Sequence, residues 1–371
     1  MSDITVTAKA PYRPPTNDLY VRINSILYSN FISFRFTRSM ENVPSTFTME
    51  LLCYGDTLPV VTMNEPVEIY LQKKQIFSGM IEMRSIIVNG NNTHSLSISG
   101  RSKLKKLVDD MPEYAGTSIN NIQTLEDLCL QVCKTCGNVG VYNLSTTNDK
   151  MAWNSVPYNI GDTGWSILDR YARYQGKLLY DNGYGALVIN DVAKTATTTI
   201  NETSPLRSYG FSEDITQRYA QYKVLWQPYT TLSQTGLPPA ATSSDPQATI
   251  FNGEGRTKIT INSTSDEDGS LAQRYAQWQA NRAYGRSRSV TVELVGFTDA
   301  SNTLWDVNQM VNINLPMIGV NEAMVTCDVT YSYSNGGGST TEITFYPALA
   351  FTFEPATLYQ SDPSLQNLPS A

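Results

Sequence analysis

Apolar and polar residues alternate with a period of two over most of the first hundred positions. RINSILYSNFISFRFTR, STFTMELLCY, PVEIYLQKKQIFSGMIEMRSIIV and THSLSISG carry the pattern, and it predicts half-buried strands. Asn89-Gly90 lies between the last two segments and predicts a hairpin turn. After about residue 105 the period lengthens. In TLEDLCLQVCKTCG, Leu125, Leu128, Cys129, Val132 and Cys136 share one helical face, with Thr124 as N-cap and Gly137 just past the end. GDTGWSILDRYARYQG (161–176) predicts a second helix. Asp162 or Thr163 opens it, Trp165, Leu168, Tyr171 and Ala172 form its stripe, and Gly176 stops it. KLLYDNGYGALVIND predicts a hairpin around Asn182-Gly183.

Strand pattern returns over 209–226. Residues 228–256 are rich in Pro, Gly, Ser and Thr and read as a long loop or insertion. A third helix follows over about 270–284, where Leu271, Tyr275, Trp278 and Arg282 lie along one face. That face is expected to rest on the neighbouring β-domain, with Trp278 supplying most of the apolar area. Strands then run from SVTVELVGF to about Phe353, and the tail EPATLYQSDPSLQNLPSA is expected to be an extended arm.

A weak internal repeat organises these segments. Thr48–Leu52 matches Thr291–Val295 at an offset of 243. Val67, Ile69 and Leu71 match Val311, Ile313 and Leu315 at 244. Asn89-Gly90 matches Asn335-Gly336 at 246, and Leu96 and Ile98 match Ile343 and Phe345 at 247. FISFRFTR (31–38) resembles YAQYKVLW (219–226), so the second copy reads as a β-domain interrupted by an insertion. The expected fold class is β-rich α+β, with two similar β-barrel or sandwich domains, a mixed α/β domain and a small inserted module. The expected division is 1–104, first β-domain; 105–205, mixed domain; 206–226 with 288–353, second β-domain; 227–287, inserted module; and 354–371, C-terminal arm.

Composition narrows the chemistry. The 371 residues are enough for two to four domains. Only 16% are charged and the net charge is −7, which argues against a DNA-coating surface. The single histidine, His94, nearly excludes Ser-His-Asp catalysis and His-rich metal sites. Cys129, Cys133 and Cys136 form C-x3-C-x2-C, but they fall within the expected helix, Cys129 and Cys136 on its apolar face, with no fourth ligand nearby. Reduced thiols in a cytosol-made protein fit, and no signal peptide or membrane-length apolar run is apparent. Glu126-Asp127 and Asp266-Glu267-Asp268 sit at helix starts, where negative charge is favoured. Asp109-Asp110 is a third adjacent pair. Asp266-x-Asp268-Gly269 lacks the downstream acid of a calcium loop. No P-loop motif occurs, and Asn335–Gly338 reads as a hairpin tip. The basic run Arg101/Lys103/Lys105/Lys106 reads as a solvated helix face or an intersubunit ion-pair surface, and Arg282/Arg286/Arg288 form another basic cluster beside the third helix. The 22 tyrosines and 5 tryptophans suit large interfaces. No catalytic, cofactor-binding or metal-ligating residue is assigned.

The order of these segments resembles the baseplate central hub protein of contractile phage tails, in the Mu-like hub and late-control-D group. The resemblance spans most of residues 18–353, and its more specific stretches are I-S-G-R-S-x-x-x-x-L-V-D (Ile98–Asp109) and R-x-x-G-R-S (Arg282–Ser287). The polar Asp110–Glu113 departs from the pattern at the entry to the middle domain. The resemblance implies two tail-tube-like β-domains in a structural, non-enzymatic homotrimer without cofactors. Such a hub adapts a six-fold tail tube to a three-fold central spike and lines the DNA channel. Its implied partners are the spike protein, the tail tube or tube-initiator protein and other baseplate proteins, with no membrane anchor. Its implied place is the virion baseplate, reached from the host cytoplasm during assembly. Competing readings are a hub carrying cell-wall hydrolase activity and a carbohydrate-binding adhesin-like β-protein.

Overall fold

The computed structural model describes residues 19–355, apart from 30, 55–60, 90–92, 114–117, 148–149, 151–154, 227–238, 252, 254 and 263–268. The first β-unit contains β1 (Tyr20–Ile23), β2 (Ile26–Tyr28), β3 (Phe31–Ser39), β4 (Thr46–Tyr54), β5 (Pro66–Leu71), β6 (Lys74–Asn89) and β7 (Thr93–Ser102). They pair antiparallel in the order β3-β4-β7-β6-β5-β1-β2. Alternation explains the strands. Phe47, Met49 and Leu51 of β4 are buried, while Thr46 and Thr48, at the alternate positions, face water.

The mixed domain follows as α1 (Lys105–Asp109), β8 (Ser118–Asn120), α2 (Leu125–Thr135), β9 (Val141–Asn143), β10 (Ser155–Pro157), α3 (Gly164–Tyr174), β11 (Leu178–Asp181) and β12 (Leu187–Asn190). Both longer helices start where the sequence places them. Thr124 and Asp127 form a reciprocal capping box at α2, and the Thr163 side chain accepts from the Ser166 N–H at α3. Burial pushes the Cys129 thiol up, and pushes Cys133 up to about 12. These cysteines therefore stay protonated and fill the domain's core as small apolar groups.

The second β-unit contains β13 (Ala196–Asn201), β14 (Leu206–Glu213), β18 (Arg288–Val295), β19 (Met310–Leu315), β20 (Val320–Ser334) and β21 (Gly338–Tyr346). Between β14 and β18 stands a module of β15 (Gln221–Trp226), β16 (Ala240–Ser244), β17 (Thr257–Asn262) and α4 (Ser270–Arg286).

Three expectations change here. Residues 221–226 are not part of the second β-unit, because β15 pairs with β16 and β17 in a separate sheet. The place expected for them is filled by β14. Alternation in YAQYKVLW marks a half-buried strand but not the sheet it joins. Residues 196–201, expected in the mixed domain, pair with β19. The Pro/Gly-rich stretch contains β16 and a 3₁₀ turn at Ala248–Phe251 rather than loop alone. The tail beyond 355 and the acidic run at 266–268 lie outside the described residues.

Helix α4 also differs from its expected packing. Leu271, Ala272, Ala276 and Ala280 are its buried apolar residues, and Ala272 and Ala276 join Val224 and Ala241 of the inserted sheet in a small core. Trp278 is only half-buried. Its Nε1 donates to the Thr352 carbonyl at 2.9 Å. Small residues let the helix lie close to the sheet, and Trp278 serves the junction with the chain's C-terminal segment.

One apolar core runs through both β-units, and the mixed domain has its own. The three bodies meet at Arg38, whose side chain is buried. It donates to Asp306 Oδ1 of the second unit at 2.7 Å, to the Ile76 carbonyl of the first, and lies 3.8 Å from Asp181 Oδ1 of the mixed domain. The fully buried Asp181 carboxylate also accepts from the Ser45 N–H and Ser45 hydroxyl. Removing one partner of a buried ion pair leaves the other uncompensated. Arg38→Met should therefore cost about 3–5 kcal/mol in urea unfolding. Asp306→Asn, at a partly exposed carboxylate, should cost markedly less in the same measurement.

Asp191, just after β12, accepts from Lys177 Nζ at 2.7 Å, from the Thr146 N–H and hydroxyl at 2.8 Å, and from the Ser145 hydroxyl at 3.1 Å. Partial burial pushes its carboxyl up, but these bonds outweigh burial and hold it well below the usual carboxylate range. Its contribution to stability is fully present above the unfolded pKa of about 3.9 and is lost as pH falls toward the folded value. Asp191→Asn should therefore flatten the acid limb of the stability–pH curve below about pH 4, read from thermal unfolding across a pH series.

Candidate assembly interface

The two β-units repeat strand for strand. Their orders are β3-β4-β7-β6-β5-β1 and β14-β18-β21-β20-β19-β13. Register gives the equivalences residue by residue. Phe31 lies opposite Leu51 and Ser33 opposite Glu50, with a bulge between; Leu206 lies opposite Leu294 and Ser208 opposite Glu293, again with a bulge. A second shared bulge separates Ile81 from Met83 and Thr326 from Asp328. Thr48 thus corresponds to Thr291 and Val67 to Val311, as the sequence offsets predict. The pairs expected from β7 shift by two residues, so that Ile98 corresponds to Ile343 and Leu96 to Thr341. Strands of period two look alike after a two-residue slide. The units differ at one edge: β1 runs antiparallel to β5, whereas β13 runs parallel to β19.

The copies are joined into one sheet by a seam. The C-terminal half of β20 pairs antiparallel with β3, from Asp328 opposite Ser39 to Ser334 opposite Ser33. Tyr331 stacks on Phe36 at 6.0 Å between centroids, and the Thr330 and Thr37 hydroxyls hydrogen-bond at 3.0 Å. The equivalent edges elsewhere have no strand beside them among the described residues. These are β14, the counterpart of β3, and the C-terminal half of β6, the counterpart of that half of β20. Tyr331 is buried and its counterpart Ile86 is 42% exposed, beside Ile87 at 56% and Val88 at 67%.

Both specific sequence stretches serve junctions. At Gly100 a Cβ would lie 2.0 Å from the Met80 carbonyl, so only glycine lets β7 approach β6. Arg101 then pairs with Glu82 and Asp109, Lys105 with Glu82, and Lys106 with Asp110. Three of the first cluster's four cations thus make ion pairs within the chain. In the second stretch, a Cβ at Gly285 would meet the Ala350 nitrogen at 2.1 Å. Arg282 and Arg286 donate to the Ala350 carbonyl, Arg286 pairs with Glu41, and Arg288 pairs with Glu213 and Glu322. The second cluster fastens the inserted helix to both β-units. Asn335–Gly338 forms the expected hairpin tip between β20 and β21.

Candidate chemistry is dispersed. Glu126 accepts from Asn143, Asp127 caps α2, and Asp109 and Asp110 hold the lysine and arginine partners just named. His94 sits on β7 opposite Val88. Among the described residues no group of three or more His, Cys, Asp or Glu is placed to hold a metal ion, and no helix is long and apolar enough to cross a membrane.

Comparison with known proteins gives this architecture a context. A family profile described as the second domain of gp44-like baseplate hub proteins matches residues 105–191, which hold α1 through β12. A second, described as the fourth domain of the Mu phage baseplate assembly protein GpP, matches 268–354, which hold α4 through β21. Baseplate hub protein gp44 of Escherichia phage Mu is 23% identical over 345 residues, covering 91% of this chain and 89% of its own. The 43 kDa tail protein of prophage MuSo2 from Shewanella oneidensis shares the fold at TM-score 0.77 and 21% identity, covering 90% of this chain and 99% of its own. A tail protein from Neisseria meningitidis MC58 shares it at 0.73 and 16% identity, covering 91% and 99%. Two baseplate-protein domain profiles in order, and a hub relative aligned over about nine-tenths of both chains, support a baseplate hub of the Mu-like contractile-tail kind.

Proposed function

We propose that this hub acts as a homotrimer adapting a six-fold tail tube to a three-fold central spike, with no catalytic turnover. The observation that carries the reading is the duplicated β-unit with its head-to-tail seam. Unlike edges joined head to tail generate a ring when the rotation closes. Three chains of two units present six similar β-units to a tube, while the inserted module and the mixed domain recur only three times.

The face of the sheet turned away from the core supports a channel lining. It carries Thr46, Thr48 and Glu50 on β4, Ser97 and Ser99 on β7, Thr291 and Glu293 on β18, and Glu342 and Thr344 on β21, all at least partly exposed. Glu293 lies directly opposite Glu342. Like charges in that position cost stability, and Arg207 pairs with Glu293 beside them. Arg35 of β3 is another cation on this face. A surface of small hydroxyls with carboxylates offers no continuous track of cations for phosphates. DNA would slide past it without being gripped.

The working parts follow the fold: a first β-unit over about 20–104, a mixed domain over 105–191, a second β-unit from 196–213 and 288–351, and an inserted module between. The spike protein, the tube or its initiator and other baseplate proteins are the partners, and the hub is made in the host cytoplasm before it enters the tail.

Light scattering should give a trimer mass for the full chain, alone or once its spike protein is added; a monomer under both conditions overturns the reading. Thr48→Arg with Thr291→Arg places cations at equivalent positions of both units. That variant should retain the trimer mass and slow DNA release from assembled particles, and unchanged release would remove the channel role. Purified protein should leave a peptidoglycan zymogram uncleared. Clearing that is lost on replacing one carboxylate would establish an enzyme.

A further inference from the structure

We infer that neighbouring subunits join by strand pairing of β14 on one chain with the C-terminal half of β6 on the next, in the register of the internal β3–β20 seam. This rests on the trimeric reading above and adds its contact surface: the partner is a second copy of this chain.

The argument is transfer between repeats. Shared bulges fix β14 on β3, with Phe211 at the place of Phe36 and Ser212 at that of Thr37. They also fix β6 on β20, with Ile86 at the place of Tyr331 and Ser85 at that of Thr330. Within the chain Tyr331 faces Phe36 and Thr330 faces Thr37. Between chains Ile86 therefore faces Phe211, Val88 faces Tyr209, and Ser85 faces Ser212.

The side chains suit that register. Apolar residues meet on the core side, where the internal seam has its Tyr331–Phe36 stack. Hydroxyls meet on the other side, as Thr37 and Thr330 do. The next pair is Arg84 opposite Glu213. In the chain Arg84 donates to the Val61 carbonyl and has no carboxylate partner among the described residues. Glu213 Oε1 lies 3.3 Å from Arg218 and 3.6 Å from Arg288, and an added guanidinium approaches a carboxylate that is 37% exposed. Both edges also need covering. Met83, Ile86, Ile87 and Val88 form an exposed apolar strand edge, which natural sheets otherwise protect with charge, proline or a partner. A one-residue slip would turn Ile86 and Val88 to the wrong face, so the register is strongly specified.

Paired cysteines test the register in the full chain. Under mild oxidation, alone and with the spike protein, Ser85→Cys combined with Ser212→Cys should give covalent dimers and trimers on denaturing gels. Ser85→Cys with Gly210→Cys, two residues out of register, should give several-fold less, and each single variant should give none. Thr37→Cys with Thr330→Cys is the within-chain control for the same geometry. A trimer mass with no Ser85–Ser212 cross-link, or with the out-of-register pair linking equally well, overturns the seam and leaves the trimer standing. A monomer under both conditions overturns both.

Discussion

A strand edge carries unpaired N–H and C=O groups, and a protein must either pair it or blunt it. That requirement organises this molecule. Each β-unit has an edge of the β3 kind and an edge of the β20 kind, and the internal seam joins them in head-to-tail sense. Duplication within the chain closes one such contact. Every chain then retains one edge of each kind, as a link in a ring does. In the proposed ring, the fold of the unit and the symmetry of the assembly are two expressions of one hydrogen-bonding demand.

The remaining parts hold that arrangement rigid. Arg38 places one buried positive charge where the two β-units and the mixed domain meet, and its carboxylate partners come from two different bodies. The inserted helix is fastened by arginines to main-chain carbonyls of the last turn and to Glu41 of the first unit. Its glycine lets backbone lie on backbone. Charge-assisted bonds of this kind fix orientation as well as distance. These junctions hold the bodies at fixed angles to one another.

Much of this was legible in the sequence, and the failures are instructive. Thr124 and Thr163 marked helix starts because capping chemistry is local. The offset of Thr48 to Thr291 identified equivalent strands because the same face is buried in both copies. The β14 strand, LRSYGFSE, lies within the 206–226 expected for the second β-domain, but YAQYKVLW rather than β14 is the segment whose pattern matches β3 in the sequence. In β14 the only apolar residues, Leu206, Tyr209 and Phe211, are interrupted by a bulge and stay partly exposed. An edge strand this little buried lacks the one-sided burial that makes a strand's pairing readable. The same blindness hid the seam: period-two patterns specify which face is buried, not which strand lies alongside. Arg38 gave no signal at all, since its carboxylate partners are separated from it by well over a hundred residues.

The seam also sets an order of events in time. Thr37 and Thr330 are 293 positions apart, so β3 is made long before the strand that covers it. During synthesis the first unit can fold locally around β4, β6 and β7, but its β3 edge stays open until nearly the whole chain has emerged. Contacts so distant in sequence form late, and the open edge is a template for wrong pairings in the interval. Any product that stops before β20 would keep that edge permanently bare, so the cell sees a truncated hub not as a smaller working part but as a self-adhesive fragment.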